Sequence, residues 1–319
     1  MGRSNAARQS AARKRAVART LTAAPPQSGR QPRAAVQAGL AAQRAAQIRR
    51  RNTRLALGGI GGVLVVFLVL ILVATLGGGP KAAAPQTASA ASTAQVAKQA
   101  TSVPAAVLAQ VGAGTSDNAP VAINGAAKLT SGGKPEVLYM GYEWCPYCAA
   151  QRWAAVVALS RFGTFTGLGL TTSSSTDVYA NTHTFTFANA TYTSQYVAFV
   201  PVELQNSQKQ TLQTPTAQEN QLLQTYDAPP YTTAGQRGGL PFYDFGNQYA
   251  LSGTMYNPQL LAGADWGTIA AALSQPSSPI AKGVDGAANV LTAVICKLTG
   301  DQPAAVCSAP SITALNGGL

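Results

Sequence analysis

The stretch that decides the fold is VLYMGYEWCPYC, Val137 to Cys148, which continues as AAQRWAAVVALSRFG to Gly163. Val137 to Tyr142 is a short apolar run of the kind that forms a buried strand. It leads directly into Trp144, Cys145, Pro146, Tyr147 and Cys148. Beyond Cys148 the apolar residues recur at helical spacing, and Gly163 is the expected stop. The unit reads as strand, tight turn and helix, with two cysteines at the start of the helix.

That placement has chemical consequences. Cys-x-x-Cys at a helix N-terminus puts both sulfurs on one face, within disulfide reach, and sets the first beside unpaired backbone N–H groups. Such donors favour the thiolate, the attacking species in thiol-disulfide exchange. Cys145 is therefore the candidate nucleophile and Cys148, one turn deeper, the candidate resolving thiol. Pro146 suits the first helical turn, where a missing N–H costs nothing. Tyr147 lies between the sulfurs, where it can tune the balance of dithiol and disulfide.

Three other readings of the pair stay open: a zinc site, a purely structural bridge, and a redox-like domain that only binds. Zinc would need Cys296, Cys307 or the single histidine, His183, at spacings poor for a metal. No metal or cofactor is expected. His183 sits in the alternating run THTFTF and reads as a strand residue. Cys296 and Cys307 flank Gly300 and Pro303 at a helix end and are expected to form a structural disulfide in an oxidising compartment.

Working outward, Thr184 to Phe187 and Tyr192 to Val202 read as strands separated by a turn at Asn189. Leu212 to Tyr226 is a polar segment compatible with a helix. Leu240-Pro241 precedes FYDFGNQY, a hairpin expected to turn at Gly246 and Asn247. Helices are expected near Asp265 to Leu273 and Asp285 to Leu298.

Charge and hydropathy organise the rest of the 319 residues. The formal net charge of +12 is unevenly spread. Residues 1–54 hold thirteen Arg or Lys and no acid, whereas the remainder balances at −1, so a nucleic-acid-binding body is disfavoured. Leu55 to Leu76 is an uncharged, apolar stretch of 22 residues, long enough to cross a bilayer as a helix. Arg49, Arg50, Arg51 and Arg54 precede it, which keeps the N-terminus cytoplasmic under the positive-inside rule. The expected layout is a disordered basic leader over 1–54, a transmembrane helix over 55–76, a flexible linker over 77–120 and a folded extracytoplasmic domain over 121–319. The leader suits anionic lipid headgroups ahead of nucleic acid.

The strand VLYMGY, the motif Trp144-Cys145-Pro146-Tyr147-Cys148 and the helix after it resemble the thioredoxin superfamily. The Cys-Pro-Tyr-Cys string is similar to that of dithiol glutaredoxins and close to DsbA-type oxidases. The region from about Val121 to Cys307 also resembles an uncharacterised thioredoxin-like family of archaeal and actinobacterial membrane proteins. The resemblance implies an α/β thioredoxin-like fold, with an insertion between the redox helix and a strand led by a cis-proline. Leu240-Pro241 occupies that proline position by analogy, which makes Pro241 a candidate site residue. For the superfamily's buried carboxylate, Glu143 and Glu203 are the candidates.

Two functions compete at this stage. One is an enzyme in the bacterial cytoplasmic membrane that exchanges disulfides with secreted or envelope proteins and draws on a membrane redox partner. The other is a non-catalytic envelope module that presents the same fold to a binding partner. Glutaredoxin activity is disfavoured, because an outward-facing domain is cut off from cytosolic glutathione.

Overall fold

A computed structural model describes residues 90–319. The expected leader, the expected span over 55–76 and the first part of the expected linker lie outside the described residues. Among the described residues no helix is long and apolar enough to cross a membrane.

The core is mixed α/β. Strand β3 (Lys134–Gly141) is its centre, with β8 (Ala198–Glu203) parallel on one side and β9 (Phe242–Phe245) antiparallel on the other. Beyond β9 lie β10 (Tyr249–Ser252) and the short β1 (Val121–Ala122), both antiparallel to their neighbours, and β2 (Thr130–Ser131) pairs with the start of β3. Side chains alternate along each strand, so one strand feeds two cores. Val137 and Tyr139 face one side with Tyr243 and Phe245, whereas Leu138 and Met140 face the other with Phe242. The β9–β10 turn holds Gly246 and Asn247 in the left-handed region, as their types favour.

Helix α3 (Pro146–Leu159) and the long α6 (Pro279–Thr299) cover the first face. Helix α4 (Ala217–Tyr226) places Leu222 over the second. Thr216 and Glu219 close a capping box on α4, and Pro215 stands just before it. Helix α5 (Trp266–Ala272) completes the first layer.

The expected flexible linker over 77–120 requires correction from Ala90 onward. Residues Ala90–Thr101 form helix α1 and Ala105–Val111 form α2. Val96, Ala100 and Leu108 are buried in the main core. Alanine is the best helix former, and Val96 and Ala100, four apart, give one docking stripe. The buried amide of Asn289 in α6 donates to the carbonyls of Leu108 and Gly112, both at 2.8 Å, and so satisfies the end of α2. Gly286 makes this approach possible, since a Cβ there would collide with the Ala113 carbonyl.

Other differences are local. Helix α3 ends at Leu159, and Gly163 instead begins strand β4 (Gly163–Thr166). The long strand expected over 192–202 is split into β7 (Thr191–Ser194) and β8, because the Ser194 hydroxyl accepts from the Tyr196 and Val197 amides and turns the chain. Strand β4 pairs with β7, and β5 (Gly169–Thr172) pairs with β6 (His183–Thr186), giving two small sheets between α3 and β8. Helix α6 starts at Pro279, six residues before its expected start, with Ser278 as its cap.

Candidate functional site

The sheet and helix α3 build the site together. Strand β3 ends at Gly141, and the chain turns through Glu143 and Trp144 to reach Cys145, which is the N-cap of α3. Pro146 occupies the first helical turn, as expected. The Cys145 sulfur accepts a hydrogen bond from the Cys148 amide at 3.3 Å, so the thiol serves as the cap itself. Cys145 and Cys148 are both free thiols; the first is 7% exposed and the second fully buried.

Their acidities are driven apart. The Cys145 thiol lies below its ordinary range, chiefly because the Cys148 thiol donates to it. The Cys148 and Tyr147 amides and the Arg152 guanidinium act in the same sense, while burial opposes them. Cys148 is pushed well up, first by burial and then by the proton it shares with Cys145. Cys145 is thus the readier thiolate, and Cys148 keeps its proton.

The strand-led loop at Leu240 and Pro241 closes the other side. The Cys145 thiol donates toward the Leu240 carbonyl at 3.7 Å, and the Leu240–Pro241 peptide is cis. Pro229–Pro230 and Gln302–Pro303 are also cis, so position rather than isomer singles out Pro241. Trp144 stacks on Tyr142 with ring centroids 4.8 Å apart and donates to the Gln205 side chain at 2.8 Å. The Lys209 ammonium lies over its ring, 4.8 Å from the centroid. Trp144, Cys145, Pro146, Tyr147, Cys148, Leu240 and Pro241 therefore converge, although 92 residues separate Cys148 from Leu240 in sequence.

Beneath the sulfurs lies a group that the sequence reading missed. Arg152, four residues after Cys148 and on the same face of α3, is fully buried. It grips Glu203 with two hydrogen bonds, 2.8 Å from Nε and 2.7 Å from Nη2. Its Nη1 has no hydrogen-bond partner, nor do the buried hydroxyls of Tyr139 and Tyr243. The guanidinium lies 5.8 Å from the Tyr139 ring centroid. Of the two carboxylates considered, Glu203 joins this buried cluster, whereas Glu143 accepts from Thr171. A lone arginine in the otherwise uncharged AAQRWAAVVAL was the readable signal, since a buried charge demands a partner.

The remaining candidates fall elsewhere. Cys296 and Cys307 form a disulfide with a Cα–Cα distance of 5.5 Å. His183 binds the Ala264 carbonyl at 2.9 Å and packs against Trp266. Neither the bonded cysteines nor this histidine is placed to complete a zinc site with Cys145. Among the described residues no cluster of three or more His, Cys, Asp or Glu is placed to hold a metal ion.

Fold and site together define an α/β protein that carries a free Cys-x-x-Cys dithiol at the head of a buried helix. Residues 121–297, more than half of the chain, match the family described as Domain of unknown function (DUF929), and the chain belongs to that family. No curated protein and no solved structure matches it.

Proposed function

We propose that this protein is a thiol-disulfide oxidoreductase of thioredoxin-like fold, acting through Cys145 and Cys148. The observation that carries the proposal is the placement of two free thiols at one helix N-terminus, with the Cys145 sulfur accepting from the Cys148 amide at 3.3 Å and facing the Leu240 carbonyl. The fold assignment is supported by the strand order β10-β9-β3-β8, in which the motif strand β3 runs parallel to β8 and antiparallel to β9. It is supported also by the cis-proline loop against the Cys145 sulfur. The two small sheets between α3 and β8 would be the insertion.

Exchange then proceeds as two balanced displacements. The Cys145 thiolate, its proton released to solvent, attacks one sulfur of a partner disulfide. That S–S bond breaks, and the second partner sulfur leaves as thiolate and takes up a proton. Cys148 loses its proton and attacks the Cys145 sulfur, which frees the partner's first thiolate. The partner gains two electrons and the Cys145–Cys148 dithiol becomes a disulfide; every step runs equally in reverse. Arg152 and the helix N-terminus stabilise negative charge on both sulfurs, which favours the dithiol form.

The domain is proposed to face the outside of a bacterial cytoplasmic membrane, anchored by residues 55–76, with protein thiols or disulfides as substrates and a membrane protein as electron partner. The Cys296–Cys307 disulfide fits an oxidising compartment. Cys148→Ser provides the test, since it blocks the second displacement. Full-length protein carrying it should accumulate a covalent, reductant-sensitive adduct through Cys145. A variant that forms no adduct, with Cys145 no more reactive than a free cysteine, would overturn the assignment and favour a binding module.

A further inference from the structure

One segment beside the reactive sulfur is unexplained by folding alone. Between β5 and β6 the chain runs out as a narrow extension over residues 173–182. It is held at its base by Ser173 N–H to the Thr182 carbonyl at 2.9 Å and Asn181 N–H to the Ser174 carbonyl at 3.0 Å. Side chains brace it further: the Thr182 hydroxyl donates to the Tyr179 carbonyl at 2.8 Å, and the Ser173 hydroxyl to the same oxygen at 3.2 Å. The extension is also tied to the motif, because the Ser174 amide donates to the Trp144 carbonyl at 2.8 Å.

Beside the exposed Ser175 and Thr176, the tip of this fixed arm presents one large apolar side chain. Val178 is 65% exposed, more than any other large hydrophobic residue among those described, and Tyr147 is 40% exposed. Tyr179 meets the Tyr147 ring edge-on at 5.8 Å, so the tip and the residue between the two cysteines form one continuous surface. An isolated exposed valine needs no explanation. A valine held on a pinned arm, continuous with a tyrosine that flanks the nucleophile, does.

We infer that Val178, Tyr179 and Tyr147 form a docking lip for an extended polypeptide that carries a bulky apolar residue beside the sulfur exchanging with Cys145. The inference rests on the exchange reading above and adds its substrate class. Two observations select this occupant. Cys145 is 7% exposed and its sulfur faces the Leu240 carbonyl, so a slim chain suits the approach, and Tyr147, two residues along, is the exposed neighbour that residues beside the incoming sulfur meet. The only charge at the lip is negative: the Asp177 carboxylate, which accepts from the Val178 amide at 2.7 Å. An apolar neighbour gains there and an acidic one does not.

The test uses full-length protein in detergent and two synthetic peptides, each with its one cysteine capped as a disulfide with thionitrobenzoate. One peptide carries Phe beside the cysteine and the other Ser. Attack by Cys145 on the peptide sulfur breaks the S–S bond and releases coloured thionitrobenzoate, which departs with the bonding electrons. The reduced wild type should favour the Phe peptide by roughly tenfold in the second-order rate of single-turnover thionitrobenzoate release, the usual discrimination of an apolar contact. Val178→Asp should bring the ratio close to one, and Val178→Ser should bring it part of the way, each with an unchanged thermal melt. Equal wild-type rates on both peptides, or an undiminished ratio in Val178→Asp, would overturn the lip while leaving exchange in place. No release from either peptide by the wild type would remove the exchange reading and the lip with it.

Discussion

The two cysteine pairs of this protein differ in everything except the residue type. Cys145 heads a helix, where amide hydrogens converge on its sulfur. Cys296 sits in the last turn of α6, where carbonyls point outward and its own carbonyl accepts from both Gly300 and Asp301. A helix N-terminus stabilises a thiolate and a C-terminus disfavours one. Spacing separates the pairs further: Cys145 and Cys148 share one turn, whereas Cys296 and Cys307 are joined across a chain reversal that begins at Gly300 in the left-handed conformation. On the proposed function, placement on the helix suits one pair to exchange, whereas the other is closed as a disulfide.

The comparison breaks first at the nucleophile. Cys145→Ser is expected to abolish exchange altogether, whereas Cys296→Ser should leave its rate close to wild type; insulin-reduction or peptide-release kinetics distinguish the two. Next comes the buried pair beneath the sulfurs. Arg152→Met should cost about 3 to 5 kcal/mol, because Glu203 is then buried without a partner, and Arg152→Met with Glu203→Leu should recover most of that loss. In both variants the pH at which Cys145 becomes alkylated should rise, since the cation that favours its thiolate is gone. A merely structural arginine would not move that pH.

Opening the second pair has a different signature. Cys296→Ser with Cys307→Ser should lose about 3 kcal/mol in denaturant unfolding, the value for closing a short loop, while the reactivity of Cys145 stays as it was. The smallest effect concerns a buried acid between the two pairs. Burial raises Asp285 in α6 to about 8 and Asp244 in β9 to about 7. Both groups bind protons more tightly folded than unfolded, so their contribution to stability is fullest below about pH 4 and declines as pH climbs towards those values. Asp285→Asn should flatten the upper part of that decline in thermal melts recorded across pH.

How much of this was legible in sequence depended on the range of the forces involved. Local signals were reliable: an apolar run before Cys-Pro-Tyr-Cys, the left-handed residue types at Gly246 and Asn247, and two cysteines around a Gly and a Pro. The mixed α/β class followed from them. The helices over 90–111 resemble a linker in sequence because their few apolar residues, Val96, Ala100 and Leu108, matter only once α6 and its Asn289 are beside them. The split of the strand at Ser194 depended on one hydroxyl choosing two nearby amides. Ser278-Pro279 is a good local helix start, with the serine as cap and the proline in the first turn. At the site, the motif residues were evident, but Arg152 gains meaning only when Glu203 arrives from a strand 51 residues later.

The reduction potential of the Cys145–Cys148 pair, measured by equilibration of the full-length protein in glutathione buffers, bears most directly on the central claim. A value between about −270 and −120 mV, the range of proteins that exchange disulfides, is the expected result. A value below about −300 mV, where inert structural bridges lie, would contradict it.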